Sequence, residues 1–247
     1  MTAPEKQAST WAVVPLKSPE QAKSRLATVL SPEQRVRLFF ALAERVIQVL
    51  HATRGIDSVA VVTASAEIAA FARALGAVPI LQSADFGMSA AFDLAIDELQ
   101  PTMPHRVLLL PGDLPLISSN ALEAVLGAAG AEPGIIVVPD RHRVGTNALL
   151  CSPPRAVAPS FGGHSFERHV TAAKAVGATV RVLELEALAL DLDSSADLDY
   201  LRHQDSALAA QLLGGLRSID AGGAAGVDAR VGDPTACIRG TARAVNQ

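Results

Sequence analysis

The chain has 247 residues, 49% of them hydrophobic, a size at which one domain buries roughly three quarters of its unfolded surface in a single core. Its 21 Lys+Arg against 25 Asp+Glu give a formal charge of -4, which excludes bulk attraction to a nucleic-acid polymer or an anionic membrane. Any phosphate site must therefore be built locally. Cys151 and Cys237 have neither metal-ligand nor disulfide-framework spacing and read as isolated thiols of a reducing compartment. Residues 1–10 read as a flexible, polar N-terminus. With no export signal and no apolar run of roughly 18 to 20 residues, a cytoplasmic protein that neither enters nor crosses a membrane is expected.

In chain order, residues 11–16 read as an opening strand. Ser31-Pro32-Glu33 then supplies a helix cap, a first-turn proline and an acid beside the positive helix end. Val36, Phe39, Phe40, Ala43, Val46, Ile47 and Leu50 recur at three- and four-residue spacing and give this helix one apolar face. Residues 58–63 form a β-branched strand, 66–75 an alanine-rich helix stopped by Gly76, and 78–81 a strand. A helix over about 89–99, a strand at 107–110, a helix at 119–129 and a strand at 135–139 continue the alternation. Strands at 147–151 and 180–185, a helix at 165–176 between them and a short strand at 188–190 complete it, and one of these strands is free to run antiparallel. Such alternation predicts an α/β fold with a mostly parallel sheet covered on both faces and ligands beyond the carboxyl ends of its strands. The compact domain is placed at 11–213. Residues 214–247, rich in Gly and Ala with little apolar periodicity, read as a mobile tail.

Chemistry concentrates after the strands. Lys17, Lys23 and Arg25 share the loop following the first strand, and three cations there suit a triphosphate. This loop is not a P-loop, because it lacks the glycine-rich run and the Gly-Lys-Ser/Thr ending. Pro111-Gly112-Asp113-Leu114-Pro115 delivers one acid from a buried strand into a tight loop. Asp113 either satisfies turn amides or binds Mg²⁺, a hard cation that prefers carboxylate and phosphate oxygens. In Leu190-Asp191-Leu192-Asp193 an extended backbone puts both acids on one face, and their repulsion calls for a metal or cationic partner. Asp197 reads instead as a capping-box residue with Ser194 or Ser195. Gly145-Thr146-Asn147 leads from a polar loop into an apolar strand, and Gly162-Gly163-His164-Ser165 opens a helix whose first amides suit a phosphate or carboxylate. His164 and His169 read as solvated or hydrogen-bonded rather than zinc ligands, and Ser165 lacks a nucleophile elbow.

Pro15-Leu16-Lys17, Ala22-Lys23-Ser24-Arg25-Leu26, Pro111-Gly112-Asp113-Leu114-Pro115, Gly145-Thr146-Asn147-Ala148-Leu149, Phe161-Gly162-Gly163-His164-Ser165-Phe166 and Leu190-Asp191-Leu192-Asp193, in this order, resemble the guanylyltransferases of coenzyme F420 biosynthesis, which join GTP to 2-phospho-L-lactate or phosphoenolpyruvate. The resemblance implies a single-domain, Rossmann-like three-layer sandwich of the nucleotide-diphospho-sugar transferase type. It maps Mg²⁺ onto Asp113, Asp191 and Asp193, and the triphosphate onto Lys23 and Arg25. It places the phosphorylated carboxylic acid on Lys17, Thr146, Gly163 and Ser165, with Asn147 and Gly162 in the same motifs. Gly87 and Ser89 fall where many relatives carry Gly-Leu-Asn ahead of a nucleotide-holding helix, so Ser89 replaces an asparagine. By resemblance, the acceptor phosphate attacks the α-phosphorus of GTP and pyrophosphate leaves. Phosphoenolpyruvate is the favoured acceptor and 2-phospho-L-lactate the alternative. Nucleotidyl transfer to another phosphorylated acceptor and a non-catalytic nucleotide-binding regulator are the competing readings. A homodimer through exposed helices or an edge strand is compatible with such a sheet.

Overall fold

The computed structural model describes residues 9–19, 23–130 and 133–214. The N-terminal segment before residue 9, Cys237 and all of the glycine-rich tail beyond Gly214 lie outside them. The strands are β1 (Thr10–Pro15), β2 (Ser58–Thr63), β3 (Val78–Leu81), β4 (Arg106–Leu109), β5 (Gly134–Pro139), β6 (Thr146–Ser152) and β7 (Thr179–Val182). The helices are α1 (Pro32–Ala52), α2 (Ala66–Ala74), α3 (Met88–Leu99), α4 (Ser119–Gly127), α5 (Ser165–Ala175), α6 (Glu186–Ala189), α7 (Ser195–Gln204) and α8 (Ser206–Gly214). Among the described residues no helix is long and apolar enough to cross a membrane.

The strands form one seven-stranded sheet in the order β3-β2-β1-β4-β6-β5-β7. Only β6 is antiparallel, pairing with β4 and β5. From β1 the chain proceeds outward through β2 and β3 and then returns to lay β4 on the other side of β1. Neighbouring strands thus depart in opposite directions from the β1/β4 boundary, and the crevice beyond their carboxyl ends is the natural ligand site of an open α/β sheet.

Strand residues alternate between two apolar layers, as a period of two requires. Ala12, Val14, Val61, Leu108 and Leu150 face α1, α2, α4 and α6. Val13, Val62, Leu109, Leu149 and Cys151 face α3 and α5. Both layers are buried, so the central strands are continuously hydrophobic and the molecule is a three-layer sandwich. A third cluster joins Leu38 and Leu42 of α1 to Leu190, Leu192, Leu198 and Leu201, and packs α7 and α8 against α1.

Two expected strands are corrected. Residues 188–190 do not form one; the Asn147 side-chain amide donates to Leu188 O at 3.0 Å, and Leu188 and Ala189 belong to α6. The strand expected over 180–185 spans Thr179–Val182, with one ladder bond beyond its end, Leu183 N to Val137 O. A β-bulge interrupts β5·β6, where Val138 pairs with Ala148 but Pro139 pairs with Thr146. Asn147 is the extra residue. The bulge reverses the alternation of β6, so that Asn147 reaches α6 while Thr146 reaches His169 of α5.

Candidate active site

The cleft opens where the sheet order predicts, past the ends of β1 and β4, with a volume of about 280 Å³. Gly112 makes its floor possible. A Cβ there would lie 2.4 Å from Leu16 Cδ2 and 3.2 Å from Val14 Cγ1, so a larger residue would have to displace the buried Leu16 side chain for the loop after β4 to settle onto β1. That loop presents Asp113. The segment after α6 is held against it by the bond from Leu192 N to Asp113 O, while Leu190 and Leu192 are buried in the third cluster. The alternation expected from sequence thus turns Asp191 and Asp193 away from that core and toward Asp113. Asp197 takes its expected capping role, accepting from Ser194 N and Ser194 Oγ, both at 2.7 Å. It also accepts from Asp193 N at 3.1 Å and from Arg141 Nη2 at 2.6 Å.

Lys23 provides the cation at this centre. Its Nζ lies 2.5 Å from Asp113 Oδ2 and 3.0 Å from Asp193 Oδ1, and its side chain is 5% exposed. Burial alone would lower the lysine pKa, but the attraction of Asp113 and Asp193 outweighs it and the ammonium is retained. Lys23 itself adopts a left-handed conformation, φ 56, at the entry to the Ser24–Leu26 turn. Asp191 titrates high, pushed up to about 6 by burial and then by the nearby charges of Asp113 and Asp193. Asp113 Oδ1 is buried with no hydrogen-bond partner. Among the described residues no three acidic, histidine or cysteine side chains are grouped as a ready metal site. The donor chemistry nevertheless suits a hard divalent cation: two carboxylates, Asp113 and Asp193, meet at one ammonium, and one buried carboxylate oxygen is unsatisfied.

On the other wall, Lys17 Nζ pairs with Asp85 Oδ2 at 3.1 Å, and Asp85 Oδ1 accepts from Gly87 N at 2.9 Å. Asp85 and Gln82 line the cleft but were not anticipated from sequence. The available signal was Asp85 two residues before Gly87, an acid placed to close a turn ahead of a helix. Gly87 (φ 89) caps α3 and lines the cleft with Lys17, Lys23, Asp113 and Asp193. Arg25 is exposed and is not among the lining residues.

The remaining candidates, Ser89, Thr146, Asn147, Gly162, Gly163 and Ser165, are not among the residues that line the cleft. Ser89 Oγ accepts from Phe161 N at 2.8 Å, which ties the start of α3 to the Gly162-Gly163 turn, where Gly162 has φ 105. Ser165 is buried. Its amide donates to Gly162 O at 3.0 Å and that of Phe166 to Val144 O at 3.2 Å, so two amides expected to face a ligand are already engaged within the fold. Asn147 is likewise committed to Leu188 O. Thr146 Oγ1 lies 3.0 Å from His169 Nδ1, and among the described residues it has no second side-chain partner.

The sheet order, the single reversed strand and a crevice with acids at the β1/β4 boundary define a Rossmann-like sandwich of the nucleotide-diphospho-sugar transferase type. A solved structure described as a nucleotide-diphospho-sugar transferase from Desulfovibrio desulfuricans G20 superposes with a TM-score of 0.63 at 14% identity, over 83% of this chain and 98% of its own. The 4-diphosphocytidyl-2C-methyl-D-erythritol synthase of Anaerococcus prevotii superposes with a TM-score of 0.55 at 9% identity, over 80% and 96%. Residues 10–219 match the CofC-like guanylyl transferases, and the chain belongs to that family. It is 38% identical over 193 residues to the phosphoenolpyruvate guanylyltransferase of Sphaerobacter thermophilus, covering 78% of this chain and 92% of that protein. It is 41% identical over 193 residues to that of Rubrobacter xylanophilus, covering 78% and 93%.

Proposed function

We propose that this chain joins GTP to phosphoenolpyruvate with release of pyrophosphate, in coenzyme F420 biosynthesis. The observation that carries this reading is the pairing of the Lys23 ammonium with both Asp113 and Asp193 at the mouth of a cleft between β1 and β4, with Asp191 near enough to feel the charges of both acids. Names borne by the relatives supply the nucleotide and acceptor. The reaction needs no protein nucleophile, because the acceptor phosphate is itself nucleophilic: one of its oxygens bonds to the α-phosphorus as the bond to the pyrophosphate oxygen breaks. The protein's tasks are alignment and compensation of charge between two anions.

Asp113, Asp191 and Asp193 would hold Mg²⁺, which when bound offsets triphosphate charge and polarises the α-phosphate. Lys23, released from Asp113 and Asp193, is then placed to meet the outer phosphates and the departing pyrophosphate. Gly87 at the start of α3 brings main-chain donors to the nucleotide side of the cleft. Lys17 sits on the acceptor side once its pairing with Asp85 yields to an anion, and Thr146 and the Gly163-Ser165 turn complete that side.

The test is a pyrophosphate-release assay with Mg²⁺, each nucleoside triphosphate, and phosphoenolpyruvate, 2-phospho-L-lactate or 3-phospho-D-glycerate, with product masses measured. Turnover is expected with GTP and phosphoenolpyruvate and is expected to disappear with chelator. Asp113→Ala and Asp191→Ala are expected to lose at least roughly 100-fold in turnover. Preference for CTP, or near-normal activity of both variants, would remove the assignment.

A further inference from the structure

His169 is fully buried on the inward face of α5, in line with Ser165 and Ala173, and is used by two separate elements. Ser160 N donates to its Nε2 at 2.9 Å. An amide can only donate, so Nε2 carries the lone pair and Nδ1 carries the proton. Ser160 has little freedom to do otherwise, because Arg168 fixes it from the neighbouring position of the helix. Arg168 Nε donates to Ser160 Oγ at 2.8 Å and Nη2 to Ser160 O at 2.9 Å. The same guanidinium holds Phe161 O at 3.1 Å and also bonds Gly163 O. The Phe161 ring meets the imidazole edge-on, centroids 4.9 Å apart, which completes its enclosure.

The other end of the imidazole is then determined. Nδ1–H points to Thr146 Oγ1, 3.0 Å away, so the threonine oxygen accepts and its own hydrogen is left to be donated elsewhere. The β-bulge at Asn147 is what turns Thr146 to this face of the sheet. With the opposite tautomer Thr146 would have to donate into the ring and would present only lone pairs to a ligand. On the acceptor side of the reaction proposed above, we infer that His169 is a positioning residue, which holds the Thr146 hydroxyl as a hydrogen-bond donor toward the anionic oxygens of the phosphorylated acid. Phosphate and carboxylate oxygens only accept at neutral pH, so the orientation of one hydroxyl separates attraction from repulsion. Burial, and after it the Arg168 charge, push the His169 pKa down to about 4, which keeps the ring neutral at physiological pH, while the Ser160 amide selects its tautomer.

Two measurements on the full chain test this. Long-range proton–nitrogen NMR of the wild type is expected to show His169 neutral and protonated on Nδ1; protonation on Nε2 would overturn the inference without any mutation. Steady-state kinetics of His169→Phe are expected to show the KM for phosphoenolpyruvate raised about tenfold, the size of one lost hydrogen bond, with the KM for GTP within about twofold of wild type. His169→Asn, whose amide N–H falls near Nδ1, is expected to recover much of the acceptor KM. His169→Gln, whose amide reaches instead toward Ser160 N, is expected to fold but not to recover it. If His169→Phe does not fold, the Asn and Gln pair with the wild-type tautomer decides. An unchanged acceptor KM in folded His169→Phe, or equal KM values for the Asn and Gln variants, would overturn the positioning role alone. Absence of guanylylated product from the wild type with every acid would instead overturn the reaction on which it rests.

Discussion

Lys23 is the side chain on which the nucleotide-free centre turns. It neutralises Asp113 and Asp193 from within a site where it is almost fully covered, and removing one partner of a buried pair leaves the other charge uncompensated. Asp193 is 45% exposed and Asp113 25%, so water screens much of that penalty and Lys23→Met is expected to cost about 1–2 kcal/mol rather than the full buried-pair value. The same substitution frees the position between the two carboxylates. Millimolar Mg²⁺ is therefore expected to raise the melting temperature of Lys23→Met by more than it raises that of wild type, a linkage effect of a ligand that binds only the native state. Equal shifts in a thermal melt would show that the lysine and the metal do not share the position. Sequence made the individual acids and the cationic loop visible but not this pairing, since Lys23 meets Asp113 across 90 positions and Asp193 across 170, and no local pattern carries information over such separations.

At the scale of elements, the helix starts were the most legible feature, because a cap is a short-range interaction. Ser31 with Gln34, and Ser194 with Asp197, form complete capping boxes. The two caps differ in what they adjoin. Ser31→Ala and Ser194→Ala are each expected to cost about 1 kcal/mol in urea unfolding, but only the second releases Asp197, which also anchors the Asp193 amide. Turnover is expected to fall several-fold in Ser194→Ala and to stay near wild type in Ser31→Ala; matched activities would separate the α7 cap from the acidic centre. Elements decided by tertiary contact were less legible. The alternation of Leu190 and Leu192 with acids shows as alternating burial, both leucines being covered, whereas residues 188–189 fold into α6 around the Asn147 bond to Leu188. Helix α8 was not anticipated: it buries only Leu208 and Ala209 and has no strong apolar stripe to announce it. The bulge at Asn147 was equally hidden. It swaps the faces of Thr146 and Asn147 without altering the apolar composition by which the strand was recognised.

For the whole molecule, two buried groups shape acid stability in opposite directions. His169 has its pKa lowered from 6.5 to about 4 by burial and then by Arg168. The unfolded chain binds the extra proton in that interval, so the stability His169 contributes is complete above pH 6.5 and is lost as pH falls toward 4. Asp191 is raised from 3.8 to about 6 by burial and then by Asp113 and Asp193. Here the native state binds the extra proton, so the contribution is complete below pH 3.8 and is lost as pH rises through 6. Each effect is of the order of 1–3 kcal/mol, and across the shared window from pH 4 to 6 they largely offset. The nucleotide-free wild type is accordingly expected to show a shallow dependence of unfolding free energy on pH there. Asp191→Asn removes only the second contribution. It is expected to be more stable than wild type at pH 7, where the unprotonated aspartate is at its most unfavourable, and to lose stability more steeply than wild type between pH 6 and 4, where His169 acts alone. Urea unfolding at half-unit pH steps measures both slopes, and parallel curves for the two proteins would show that Asp191 does not carry the strained charge assigned to it. The stabilised variant is expected to be the inactive one, because the burial and repulsion that cost stability at Asp191 would be relieved by the cation proposed for the acidic centre.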